Sequence, residues 1–198
     1  MLPAAGLAIH KAALDAAAQA AVLADVRAVL AAAPLFAPMT PWGKPMRVRM
    51  TSAGRYGWFS DAKGYRYERR HPSGLPWPPI PASILALWRR FAGERRAPDC
   101  CLVNYYASGA RMGLHRDADE VDFAWPVVSI SLGDPAVFRI GGLARSDPTR
   151  SVELESGDVV VLGGAARLAY HGIDRIRFGV SPLVPEGGRI NLTLRVVD

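Results

Sequence analysis

NYYASGARMGLHRDADE, residues 104–120, is the stretch on which the reading of this chain turns. With CCLV in front of it, its upstream end has the β-branched and aromatic texture of a strand. On such a strand Asn104 and Tyr106 share one face and Tyr105 takes the other. Further on, His115 and Asp117 stand two apart, so in extended chain they face the same way. An imidazole nitrogen and a carboxylate oxygen on one face offer two neighbouring positions on a metal. A third ligand from a distant strand would complete the two-histidine, one-carboxylate triad of non-heme Fe(II) oxygenases. His171, in LAYHGI, at what reads as the end of an apolar strand, is the natural third ligand. H-x-D pairs also arise by chance, and a lone strand histidine is commonly a satisfied core or surface residue. These three residues alone therefore leave a structural role open.

The last strand, RINLTLRVV, adds a second element. Ile190, Leu192, Leu194 and Val196 take one face; Arg189, Asn191, Thr193 and Arg195 take the other. An amphipathic edge strand with a watered polar face is the default for that pattern. The alternative is a polar face turned into a barrel, where arginines grip an anionic ligand through charge-assisted bonds. At about 3.3 Å per residue the α-carbons of Arg189 and Arg195 would lie ~20 Å apart, serving different parts of a site.

The bounds agree with a folded enzyme-sized domain. The 198 residues are enough to bury a real core, and the 50% apolar, 21% charged composition is that of a globular protein. Adjacent Cys100 and Cys101 would point to opposite faces of a strand, which argues against a disulfide between them and for a reducing compartment. The N-terminal apolar stretch is broken by Asp15, Gln19, Asp25 and Arg27, so it reads as neither signal peptide nor membrane span. A cytoplasmic, membrane-free chain is expected.

Residues 11–33 predict one helix, ended by Pro34 and Pro38. A second short helix is expected at about 81–94. From Asp99 onward VVSISLG, AVFRI, SVELES, DVVVLGG and RLAYHGI read as further short strands, which makes the class mainly β with flanking helices. Between the helices, residues 44–70 hold eight basic side chains against two acidic ones, as much net charge as the +6 of the whole chain. Tyr56, Trp58, Phe59, Tyr65 and Tyr67 are interleaved with them. The net positive charge favours an acidic partner.

Taken together, N-x-Y, H-x-D, a distant histidine and R-x-N-x-T-x-R, in that order, resemble the AlkB family of Fe(II)- and 2-oxoglutarate-dependent dioxygenases. SISLGDPAVFRIGG and SDPTRSVELESGDVVVLGGAARLAYHGI look like that family's core, and GWFSDAKGYRY like its nucleotide-recognition lid. The resemblance runs from about residue 45 to the C-terminus. It implies a single domain over residues 1–198: a double-stranded β-helix, or distorted jelly roll, over about 99–198, with a lid over about 40–81.

By this resemblance His115, Asp117 and His171 bind Fe(II). Asn104 and Tyr106 match positions that hydrogen-bond 2-oxoglutarate, and Arg189 matches the partner of its distal carboxylate. Asn191 and Arg195 lie deeper in the site, and Ser129 and Phe138 line it. Met50, Trp58, Tyr65, Arg66, Tyr67, Asp119 and Arg145 match substrate-contacting positions. Asp119, otherwise a loop acid beside Glu120 and Asp122, would favour a cationic lesion by Coulomb attraction.

The reaction implied is oxidative demethylation of bases such as 1-methyladenine and 3-methylcytosine in DNA, with RNA as a further substrate. Succinate, CO₂ and formaldehyde are released. The target methyl lies on the Watson–Crick edge, so the base must be flipped out or already single-stranded. A monomer is expected. Two alternatives stay open: the same mechanism applied to modified tRNA or another substrate, and a non-catalytic nucleic-acid-binding module.

Overall fold

Asp15 starts the first helix: its carboxylate accepts from Ala18 N at 2.8 Å, capping α1 (Ala16–Ala32). The helix is shorter at its N-terminus than the periodicity predicts. Ala12 has a positive φ of 48°, its N–H is taken by Asp158 at 2.8 Å, and Leu14 N donates to Gly157 O. These long-range bonds hold residues 11–14 out of the helix, and an alanine-rich stretch carries no apolar stripe that would reveal it. The residues before them form an unexpected strand, β1 (Leu7–His10).

The computed structural model describes residues 6–198. After α1 come β2 (Arg49–Gly54), β3 (Gly57–Asp61), β4 (Gly64–Glu68) and α2 (Ala82–Ala92). Then follow β5 (Cys100–Tyr106), β6 (Met112–His115), β7 (Val127–Gly133) and β8 (Ala136–Ile140). The chain ends with β9 (Arg150–Leu154), β10 (Val159–Leu162), β11 (His171–Ile176) and β12 (Arg189–Arg195). A major sheet has the order β1-β10-β7-β12-β5-β2 and a minor sheet the order β6-β11-β8-β9, with β3-β4 as a separate hairpin. This is the expected double-stranded β-helix with helices outside it.

β12 is not an edge strand. It lies between β5 and β7, and all seven of its residues are buried. Its apolar face, Ile190, Leu192 and Leu194, packs with Val26 of α1 and Ile84 and Trp88 of α2. Its polar face therefore looks into the space between the sheets, which Leu102, Val127 and Leu162 of one sheet and Phe138, Ile140 and Ile173 of the other fill from the sides. Cys100 and Cys101 fall in these two different clusters, both buried and unpaired. Burial pushes the Cys100 thiol up to about 12 and Cys101 higher still, so neither is a thiolate at neutral pH. Among the described residues no helix is long and apolar enough to cross a membrane.

Candidate metal centre and cavity

Strand register places two of the three metal ligands. β6 and β11 pair antiparallel with His115 opposite His171, and the ring centroids are 4.6 Å apart. His171 is thus the first residue of its strand rather than near the end of one. The strand expected over 167–173 starts late because the 3-10 turn at Gly164–Ala166 is continued by turn bonds from Arg167 N to Gly164 O and from Ala169 N to Ala166 O. Asp117, just beyond β6, puts Oδ1 3.9 Å from His115 Nε2 and Oδ2 3.8 Å from His171 Nε2. One ligand atom from each of the three lies within 4.8 Å of the others, close enough for a single ion.

Each histidine uses Nδ1 locally, His115 with Gly113 O and His171 with Ala169 O, both at 2.9 Å. A carbonyl only accepts, so Nδ1 carries the proton and Nε2 presents its lone pair towards Asp117. Asp117 Oδ2 is buried with no hydrogen-bond partner, an acceptor that a cation would satisfy. Burial raises the Asp117 carboxyl, but Arg195, then His171 and His115, outweigh it and hold it well below the usual carboxylate range. Burial, then His115, pulls His171 down to about 4 against the opposing effect of Asp117. A carboxylate beside a neutral imidazole is the protonation state that metal binding requires.

A ring of buried charge braces this centre. Arg195 Nη2 donates to Asp117 Oδ1 at 2.7 Å, and its Nη1 donates to the Tyr67 hydroxyl at 3.1 Å. That hydroxyl donates to Glu120 Oε1 at 2.5 Å. Arg167 Nη2 bonds Glu120 Oε2 at 3.0 Å, and its Nη1 bonds the backbone O of Asp117 at 2.7 Å. Sequence reasoning missed Glu120 and Arg167. Glu120 read as a solvated loop acid, yet it is 5% exposed, and nothing local in the sequence announces its partner 47 residues on.

The opposite end of the cavity is built to hold an anion. Cross-strand pairing sets Arg189 against Tyr106 and Asn191 against Asn104. Arg189 is 1% exposed and donates Nη2 to Ser131 Oγ at 2.8 Å, while its Nε and Nη1 find no partner. Burial draws its pKa down to about 10, so it remains a cation at neutral pH. A buried guanidinium with no carboxylate is costly unless a ligand supplies one. Asn104 Oδ1 is likewise buried and unsatisfied. Asn191 is held in place by Ser129 Oγ at 2.7 Å and by Ile130 O. Two imidazoles, one carboxylate and an unpaired guanidinium fit Fe(II) and the dicarboxylate 2-oxoglutarate. Ser131 was not among the expected residues; it follows Ser129 on the same face of β7.

These groups share one cavity of about 590 Å³. All ten expected iron and 2-oxoglutarate residues line it, as do Met50, Trp58, Tyr65, Asp119 and Arg145. At the mouth Trp58 stacks on Tyr65 at 5.4 Å and donates its indole N–H to Asp119 Oδ2 at 3.0 Å. Arg66 and Tyr67 lie elsewhere. Strand alternation turns Arg66 away, where Asp61 and Glu68 hold its guanidinium. Tyr67 is drawn under the hairpin into the buried ring.

The comparisons agree with this geometry. The 2OG-Fe(II) oxygenase superfamily profile matches residues 6–195. The Caulobacter vibrioides protein named alpha-ketoglutarate-dependent dioxygenase AlkB homolog is 58% identical over 183 residues, 92% of this chain and 83% of its own. Escherichia coli alpha-ketoglutarate-dependent dioxygenase AlkB is 44% identical over 179 residues, 88% of this chain and 82% of its own. The solved structure of OsALKBH1 superposes with a TM-score of 0.79 at 31% identity, covering 96% of each chain. The chain belongs to the 2OG-Fe(II) oxygenase superfamily and, within it, to the AlkB family of α-ketoglutarate-dependent dioxygenases.

Proposed function

We propose that this dioxygenase removes alkyl groups from N-alkylated nucleobases of the 1-methyladenine and 3-methylcytosine type, in DNA and by the same site in RNA. The observation that carries the reading is the union in one cavity of the metal triad, the unpaired Arg189 and a mouth of stacked Trp58 and Tyr65 beside Asp119. A relative from Arabidopsis thaliana, 39% identical over 118 residues, is named a DNA N(6)-methyladenine demethylase, which supports a nucleobase substrate.

In this reading Arg189 pairs with the distal carboxylate of 2-oxoglutarate, with Asn104, Tyr106 and Asn191 along its length. Leu102, Phe138 and Leu162 keep that end dry, which strengthens each polar contact. His115, Asp117 and His171 hold the iron. Iron, 2-oxoglutarate and O₂ together would supply oxidation of the methyl to a hydroxymethyl that leaves as formaldehyde, with one oxygen atom going to the methyl, the other to succinate, and CO₂ released. Trp58 and Tyr65 offer flat faces to the extruded base, and Asp119 favours its positive charge. The stretch of about residues 40–81 acts as the lid. Within it, β2 also extends the major sheet through β5, so the lid is anchored to the core.

The test is mass spectrometry of a single-stranded oligonucleotide carrying one 3-methylcytosine, incubated with protein, Fe(II), ascorbate and 2-oxoglutarate. Loss of one methylene mass that depends on 2-oxoglutarate is expected. An unchanged oligonucleotide, with 2-oxoglutarate still turned over, would move the enzyme to another substrate class.

A further inference from the structure

Trp42 is 80% exposed, more than any other aromatic side chain among the described residues. The turn that carries it is braced by its own hydrogen bonds. Thr40 N donates to Lys44 O at 2.8 Å, Gly43 N donates to Thr40 O at 2.9 Å, and Lys44 N bonds Thr40 Oγ1 at 3.1 Å. A Met39–Pro45 bridge closes the base of this turn. Gly43, at φ +75°, takes the left-handed conformation that the turn needs. The indole is therefore presented on a braced tip, and little order has to be gained on binding.

Its position gives the tip a purpose. Trp42 lines the mouth of the cavity alongside Arg47, Tyr65 and Arg145. Trp58 and Tyr65 already stack on one another, whereas Trp42 packs on no ring among the described residues. An indole left in water has forgone its burial, so a flat apolar partner suits it. Lys44 and Arg47 beside it select a partner that is also anionic, which stacked bases joined by phosphates are. When one base leaves a duplex for a pocket, it leaves a gap one base thick in the stack. An apolar side chain inserted between base steps can hold such a distortion open.

We propose that Trp42 enters the gap left by the extruded base, and so equips this chain to act on double-stranded DNA. The proposal rests on the nucleobase reading given above. The target base goes inward to Trp58 and Tyr65, while Trp42 stays in the duplex. A single strand, with no partner strand to close on the base, needs no such wedge.

The test compares wild type, Trp42→Ala and Trp42→Phe on one 3-methylcytosine oligonucleotide, both single-stranded and annealed. Trp42→Ala is expected to lose about tenfold in kcat/KM on the duplex, in line with one lost stacking contact. On the single strand it should stay within about twofold, and Trp42→Phe should restore the duplex reaction. Duplex affinity under nitrogen, with Fe(II) and 2-oxoglutarate bound, should fall in parallel without turnover. Because Trp42 is surface-exposed, its removal leaves the fold alone. Equal losses on both strand forms, no loss on either, or a wild type inert on duplex would each overturn the proposal. A wild type inert on both forms would bring down the nucleobase reading itself, and this proposal with it.

Discussion

Arg195 on β12 donates Nη2 to Asp117 Oδ1 at 2.7 Å, so the strand that carries the buried, carboxylate-free Arg189 also aims the carboxylate of the metal triad. Both side chains are 6% exposed. The bond occupies one carboxylate oxygen and leaves Oδ2 for the ion. Replacing Arg195 with methionine strands Asp117 as a buried charge without its guanidinium and leaves Glu120 with Arg167 alone. Loss of about 3–5 kcal/mol of stability is expected in urea unfolding of the metal-free protein. Fe(II) affinity should fall by about 10–100-fold, since the carboxylate loses its outer support. An unchanged affinity would mean that the backbone alone orients Asp117.

Tyr67 belongs to the same ring, and its contacts there predict a structural role where the resemblance implied a substrate contact. Burial raises its hydroxyl well above the usual tyrosine range, so it is a neutral donor to Glu120 at all working pH values. Tyr67→Phe leaves Glu120 Oε1 with only Arg195 Nε at 3.5 Å. A cost of about 1–3 kcal/mol is expected, the range for an unsatisfied buried acceptor. The KM for an alkylated oligonucleotide should stay within about twofold of wild type, because the cavity loses no atom. A large rise in KM with unchanged melting temperature would return Tyr67 to the substrate.

What the sequence revealed and what it hid follow from the range of the forces involved. Period-two alternation in RINLTLRVV gave the two faces of β12, and H-x-D gave two ligands, because both are local patterns. Whether β12 was an edge or a central strand depended on β5 and β7 pairing with it, 60 to 95 residues away in the register Asn191–Ser131 and Arg195–Cys100, and no local pattern reports that. Glu120 looked like a loop acid for the same reason: its burial is set by Arg167 and Arg195. Of the eight basic side chains over residues 44–70, Arg66 is paired with Asp61 and Glu68, the two acids already counted there, whereas Arg55 is paired with Asp198 from the far end of the chain, which no local count includes.

Asp134 organises the chain that leads into Arg189. Fully buried, it accepts from Gly179 N at 2.7 Å, Val180 N at 2.9 Å, Ser181 N at 2.8 Å and Gly188 N at 2.7 Å. Burial raises its carboxyl, but these four N–H groups outweigh that and hold it below the usual range. A depressed folded pKa contributes stability that is complete above the unfolded value of about 4 and is lost as pH falls through the folded one. Asp134→Asn points an amide N–H₂ at backbone donors, and a loss of at least ~1–3 kcal/mol is expected at pH 7. Thermal melts should show a gap between the two proteins that is constant from about pH 5 to pH 8 and narrows below about pH 4. A gap that widened in acid would contradict the sign of the shift.

Asp119 can act in two ways, by attracting a cationic base or by holding Trp58, and one substitution separates them. Asn in its place keeps an oxygen to accept the Trp58 indole N–H, now at 3.0 Å, but carries no charge. A charge pair at contact in a wet site is worth ~1–2 kcal/mol, so Asp119→Asn should lower kcat/KM on 3-methylcytosine by about 5–20-fold at low salt. On a neutral etheno adduct, where attraction is absent, the change should be under about twofold. Added salt should shrink the first effect and leave the second. Equal losses on cationic and neutral lesions would show that the carboxylate serves to fix the Trp58 ring, and that selection for charge lies elsewhere in the mouth.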